Sequence, residues 1–167
     1  MKTHLVELAV VREEFGFRRT VCGCPSCQVY CHHLPGSLAP SDLGRLCPPG
    51  EDVFTWAEDH LRALAGTGFP TLVPARQPNG HCHWLFGGRC AVHEAGPYGC
   101  AFFDSHMADA EVQVRLAASQ LARRQDAAVQ GLYFQVWRHL RNKGLVTEMG
   151  DKIQLLGELA RIRWRTR

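Results

Sequence analysis

Four cysteines fall within ten residues near the start of this chain: Cys22, Cys24, Cys27 and Cys31, followed directly by His32 and His33. Cys47, Cys82, Cys90 and Cys100 come later, and none of the eight lies beyond residue 100. Structural cysteines scatter with the core, whereas clustered ones point to metal binding. In "CPSC", two residues between Cys24 and Cys27 let a tight turn aim both sulfurs at one point. Turn N–H groups can then support the thiolates, a geometry suited to tetrahedral zinc and to iron–sulfur clusters alike. Cys31 joins the same site if the turn continues. Cys22, two residues from Cys24, points the other way in an extended chain.

A second group spaces Cys82, Cys90 and Cys100 eight and ten residues apart. "HCHWLFGGRCAVHE" reads as a β-hairpin, with runs 82–86 and 89–92 flanking Gly87-Gly88, which accept the positive φ of a tight turn. That hairpin brings Cys82 and Cys90 close, and "GPYG" folds Cys100 back toward them. His81, His83 and His93 flank these thiols and read as surface or supporting histidines. A dithiol redox motif would open a helix after a strand in a βαβ setting, and no such pattern surrounds "CPSC".

The elements that must position these groups are mixed. Residues 3–11 suit a strand or a short helix. "LAPSDLGRL" reads as a short helix with Ser41 as N-cap. "EDVFTWAEDHLRALAG" predicts an amphipathic helix across 51–66, with Phe54, Ala57, Leu61, Leu64 and Ala65 on one face and Gly66 stopping it. Residues 66–80 are loop-like. From about 107 to 142 a helical stripe runs through Ala110, Val114, Ala117, Leu121, Ala128, Leu132, Val136 and Leu140, with Arg115, Arg123, Arg124, Arg138 and Arg141 mostly off it. A break is expected near Gln125–Asp126 or Gly131, and Gly144 ends the run. Residues 151–163 suit a last helix, with Ile153, Leu156 and Ala160 on one side; a hairpin turning at Gly150-Asp151 is the alternative. Asp104 and His106 are available as acid/base groups, although Asp104 or Ser105 also suits the cap of the helix that follows.

The bulk numbers frame a single domain over 1–167. Its 46% apolar and 21% charged residues describe a globular chain. No apolar run approaches the roughly 20 residues of a membrane span, and the first residues lack a secretory pattern. A cytoplasmic location and no membrane partner are therefore expected, and disulfides are disfavoured there. Residues 1–122 hold 9 Lys+Arg against 12 Asp+Glu, whereas 123–167 hold 10 against 4. Such a basic end can meet nucleic acid or an acidic partner, or be the solvated end of a helix.

Together the two cysteine groups resemble the YkgJ-type cysteine-cluster family, described as a zinc- or iron-chelating CxxCxxCC domain. The early motif is Cys24, Cys27 and Cys31 followed by "LAPSDLGRL"; the late one is "GHCHWLFGGRCAVHEAGPYGC", where Cys82, Leu85, Gly88, Cys90, Pro97 and Cys100 fall on the family pattern. The likeness covers roughly residues 20–104. The adjacent cysteine pair is absent, since His32 follows Cys31; Gly96 stands where an arginine often precedes the proline; Cys22 and Cys47 are additional. The resemblance implies a cysteine-bound metal at Cys24, Cys27, Cys31, Cys82, Cys90 and Cys100, with Cys22, Cys47 and His32 as further ligands to consider. The family's labels divide between zinc and iron–sulfur. Some members are called oxidoreductases, and related domains occur in a protein-lysine methylating system.

The expected fold is thus mainly α with a small β-hairpin, a metal-stabilised cysteine-cluster region at 20–104 packed on a helical region at 105–167. The expected function is cysteine-ligated metal binding, with an iron–sulfur cluster and a redox role. The alternatives are a structural zinc module and a nucleic-acid-binding protein using the basic C-terminal helices. No Ser–His–Asp pattern, P-loop or dinucleotide glycine motif is present to name a reaction, and the sequence leaves the protein or small-molecule partner open.

Overall fold

The computed structural model describes residues 14–19, 24–28, 36–92 and 95–148. Besides a short 3-10 turn at Glu14–Gly16 and helical residues at 25–28, the α-helices are α1 (Asp42–Leu46), α2 (Val53–His60), α3 (Tyr98–Ala101), α4 (Asp109–Ala128) and α5 (Leu132–Asn142). Two small sheets accompany these: β1 (Leu61–Leu64), β2 (Leu72–Pro74) and β5 (Val146–Thr147) form one, and β3 (Leu85–Phe86) with β4 (Arg89–Cys90) the other. The architecture is therefore mixed, dominated by helix with small sheets. The segments 3–11 and 151–163 lie outside the described residues.

The expected helix across 51–66 is half strand. Asp52 caps α2 through its carboxylate, which accepts the Thr55 N–H at 2.9 Å. The helix then stops at His60, and Leu61 turns extended at φ −125°. In "LRAL", Leu61 and Ala63 alternate with Arg62, so the same residues satisfy a period of two as well as a helical one. The sheet decides between them: β1 is the central strand, antiparallel to β2 (Leu61 opposite Pro74, Ala63 opposite Leu72) and parallel to β5 (Ala63 opposite Val146). Backbone pairing on both sides, with Leu61 and Ala63 fully buried, overrides the good helix propensity of Leu, Arg and Ala, whose differences amount to only tenths of a kcal/mol per residue.

The break expected at 125–131 falls at its second location. Gln130 takes φ 50°, and Gly131 opens α5. Asp126 secures that start, its Oδ1 accepting the Phe134 N–H at 2.8 Å, as an N-terminal carboxylate does. Gly144, at φ 73°, ends α5 as expected.

The orientation of α4 reverses the expectation. Its buried residues are Arg115, Ser119 and Arg123, while Val114 and Leu121 are exposed. The arginines work as polar struts. Arg115 donates to the carbonyls of Arg18 and Phe102, both at 2.8 Å, and reaches Glu111 at 2.7 Å. Arg123 donates to Thr71 Oγ1 at 3.0 Å and lies over the Phe69 ring. Guanidinium groups satisfy otherwise stranded loop carbonyls, and their methylene stems pack as apolar surface.

Two apolar clusters result. The larger joins Leu38, Leu43, Trp56, Leu61, Leu72, Cys82, Trp84, Tyr133, Val136 and Leu140. The smaller, Ala39, Tyr98, Ala101 and Phe102, carries Phe17 and Phe103 against it. Asp42 ties the two. Its buried Oδ2 accepts N–H groups from Ala39 at 2.7 Å and Tyr98 at 2.8 Å, and its Oδ1 meets Arg45. Ser41 makes no side-chain capping bond to α1; Asp42 organises that corner instead.

Candidate metal centre

Residues 25–28 form a single helical turn, with the N–H groups of Cys27 and Gln28 both bonded to Cys24 O at 3.0 Å. Pro25 suits the first position of such a turn, where its missing N–H costs nothing. The turn brings Cys24 Sγ and Cys27 Sγ to 3.6 Å. A second segment meets it from far along the chain. His106 Nε2 lies 3.4 Å from Cys24 Sγ, and Ser105 presents its hydroxyl at 3.2 Å and its N–H at 3.4 Å to Cys27 Sγ. The loop holding them is shaped by Asp104, whose Oδ1 accepts the His106 N–H at 2.8 Å. The sequence offers Asp104 or Ser105 as the cap of the next helix. Instead α4 starts at Asp109 with Ala108 in the cap position, which leaves the 104–106 loop to the thiols.

These separations suit one ion. Zn–S bonds of about 2.3 Å and a Zn–N bond of about 2.0–2.1 Å, at a tetrahedral angle, set two sulfurs about 3.8 Å apart and a sulfur and nitrogen about 3.5 Å apart. The observed 3.6 Å and 3.4 Å fall within about 0.2 Å of both. Among the described residues, Cys24, Cys27 and His106 are the only group of three or more His, Cys, Asp or Glu side chains whose ligand atoms all lie within 4.8 Å of one another. His106 is exposed and the two cysteines half-buried, so the trio sits at the surface.

The other predicted ligands are placed differently. Cys100, on α3, accepts the Gly36 N–H at 3.2 Å. Gly36 and Gly99 cross there in backbone contact: a Cβ on Gly36 would stand 2.1 Å from the Gly99 carbonyl. Gly36 thus lies directly against Cys100. Gly87 and Gly88 both take positive φ, as the predicted hairpin requires, but the register places Leu85, not Cys82, opposite Cys90. Cys82 lies before the hairpin, bridged to Arg76 and buried in the larger core. Burial raises the Cys90 thiol above its ordinary pKa. Cys47 is also raised, by burial and then by the charges of Glu51 and Asp52. Cys82, Cys90, Cys100 and Cys47 do not belong to the group of ligand atoms within 4.8 Å of one another that Cys24, Cys27 and His106 form. Cys22, Cys31 and His32 lie outside the described residues. None of the six described cysteines is in a disulfide.

His106 was legible only as an acid/base group near the cysteines. Nothing in its spacing announces a ligand, because it lies 82 residues from Cys24. Comparison with family models, with curated proteins and with solved structures finds no match to this chain. No helix among the described residues is long and apolar enough to cross a membrane.

Proposed function

We propose that this protein binds a metal ion, zinc foremost, through Cys24, Cys27 and His106, with Cys31 or His32 completing the shell. The observation that carries the reading is the match of the Cys24–Cys27 and Cys24–His106 separations to one tetrahedral centre, with all three ligand atoms within 4.8 Å of one another. The donors agree with it: two thiolates and an imidazole are a zinc set. Ser105 supplies the supporting hydrogen bonds to Cys27 Sγ that orient a ligand and tune its basicity. Zinc here acts as a structural clasp, fastening the 24–28 turn to the loop that leads into α4.

An iron–sulfur cluster is the second reading, favoured by the thiol count. The six cysteines that match the YkgJ-type pattern exceed what one zinc needs, and Cys100 lies directly against Gly36. The nucleic-acid reading draws less support. Arg123 is buried, Arg124 stacks on Phe69, and Arg138 and Arg141 lie over Phe134 and Trp137 of their own helix.

Anaerobic purification, a visible spectrum and assays of zinc, iron and sulfide decide between the metals. Stoichiometric zinc in a colourless protein supports the clasp. Iron with matching sulfide and a brown chromophore replaces it with the cluster, and a folded, metal-free protein sinks both.

A further inference from the structure

The candidate centre divides its donors unevenly between two segments. Both oxidisable donors, Cys24 and Cys27, stand on one helical turn, and the imidazole of His106 comes from the other segment, 82 residues away. The two thiols are reduced and half-buried, and Pro25 and Ser26 between them are exposed, so the crown of the turn faces solvent. Their sulfurs are 3.6 Å apart, about 1.6 Å more than an S–S bond. Closing that gap is local to one turn. Cys82, by contrast, is buried in the larger core, where thiols are inert.

This distribution fixes what oxidation does. A disulfide between Cys24 and Cys27 takes both thiolates from the metal at once, because zinc binds thiolate rather than neutral sulfur. The new bond joins residues of the same turn, so it does not replace the lost bridge to the 104–106 loop. Had one thiol stood on each segment, the same oxidation would lock the segments together. The Ser105 contacts weaken in the same step. Its hydroxyl and N–H face Cys27 Sγ at 3.2 Å and 3.4 Å, and a disulfide sulfur is a poorer acceptor than a thiolate.

We propose that Cys24 and Cys27 form a peroxide-operated release for the metal, an inference that rests on the zinc reading of the same site. One thiolate attacks the O–O bond of hydrogen peroxide, giving a sulfenic acid and hydroxide. The second thiolate displaces hydroxide from that sulfur as the S–S bond forms. The pair gives up two electrons, the peroxide takes them and two solvent protons to become two waters, and Zn²⁺ leaves. The 24–28 turn and the 104–106 loop then part. A dithiol reductant reverses the sulfur step, and zinc refastens the segments.

The zinc-loaded full chain, treated with hydrogen peroxide beside a chromophoric zinc indicator, tests this. About one zinc should be released per disulfide formed. Thiols still free are blocked with iodoacetamide, and the protein is then reduced and labelled with N-ethylmaleimide. The tryptic peptide 20–45 should carry maleimide at Cys24 and Cys27 and not at Cys22 or Cys31. The oxidised protein should melt with the chelated, reduced protein, and dithiothreitol with added zinc should restore the zinc form. Zinc that stays bound in excess peroxide overturns the proposal. A bridge to Cys22 or Cys31 does so too, as does an oxidised protein that still melts with the zinc form. In those three outcomes the zinc reading stands, because the metal was bound at the start. A protein that holds no zinc as purified removes that reading before peroxide is added, and this inference with it.

Discussion

At the scale of the residue, His106 and Asp42 do opposite kinds of work. His106 is exposed and contributes a ring nitrogen at the thiols, so replacing it isolates metal affinity from folding. His106→Ala should lower zinc affinity at least about 100-fold, beyond the 10–100-fold that loss of a supporting hydrogen bond costs, as read by competition with a chromophoric chelator. The apo protein's melting temperature should not move; an unchanged affinity would remove His106 from the shell. Asp42 is fully buried. Burial pushes its carboxyl up from 3.8 to about 6, against the pull of Arg45 and the N–H groups of Tyr98 and Ala39. The folded chain then binds this proton more tightly than the unfolded chain. Its contribution to stability is complete below the unfolded value of 3.8 and declines as pH rises through about 6, by about 3 kcal/mol in all. Denaturant unfolding of wild type and Asp42→Asn between those limits should show the wild type gaining on the variant as the solution is acidified. A pH-independent difference would contradict that assignment.

At the scale of the element, the crossing of residues 36–39 with α3 is the joint between the cysteine segments. It depends on two glycines meeting backbone to backbone, with Gly99 N donating to Ser37 O at 2.8 Å. Gly36→Ala drives a Cβ into the Gly99 carbonyl, where only a backbone shift relieves it. The expected loss is at least about 3 kcal/mol, the upper end of overpacking. Gly44→Ala is the internal control: it lies in α1 with open space around its Cβ, and should stabilise by about 0.5–1 kcal/mol. Equal melting temperatures for the two variants would show that the crossing carries no strain. What the sequence revealed at this scale follows from where the deciding forces lie. Gly131, Gly144 and the Gly87-Gly88 turn were readable because backbone conformation is a local property of glycine. The ending of α2 at His60 was not, because β1 exists only by virtue of β2 and β5 on its flanks. The inward turn of Arg115 and Arg123 was hidden for a similar reason: the carbonyls of Arg18 and Phe102 and the Thr71 hydroxyl that hold them come from distant loops. Cys24 and Cys27 were legible as a pair through their spacing alone, whereas His106 could join them only once the chain between was folded.

At the scale of the whole molecule, the proposed metal clasp would be a long-range cross-link. Cys24 and His106 meet across 82 residues, a span that encloses the larger part of both apolar clusters. A covalent link closing a loop of that length removes about 4–5 kcal/mol of chain entropy from the unfolded state. A metal bridge acts on the same ensemble, provided the unfolded chain does not hold the ion in the same way. For a chain of this size, about 2–4 °C of melting temperature accompany each kcal/mol, so removing the metal should lower the transition by about 10–15 °C. Calorimetry before and after a strong chelator measures this, with zinc restoring the original transition. His106→Ala must lose most of that response, since it removes the distant end of the bridge and leaves the local Cys24–Cys27 pair. If chelation shifts the variant as far as the wild type, the metal is held within the first cysteine group alone, and the link to the 104–106 loop is not what stabilises the fold.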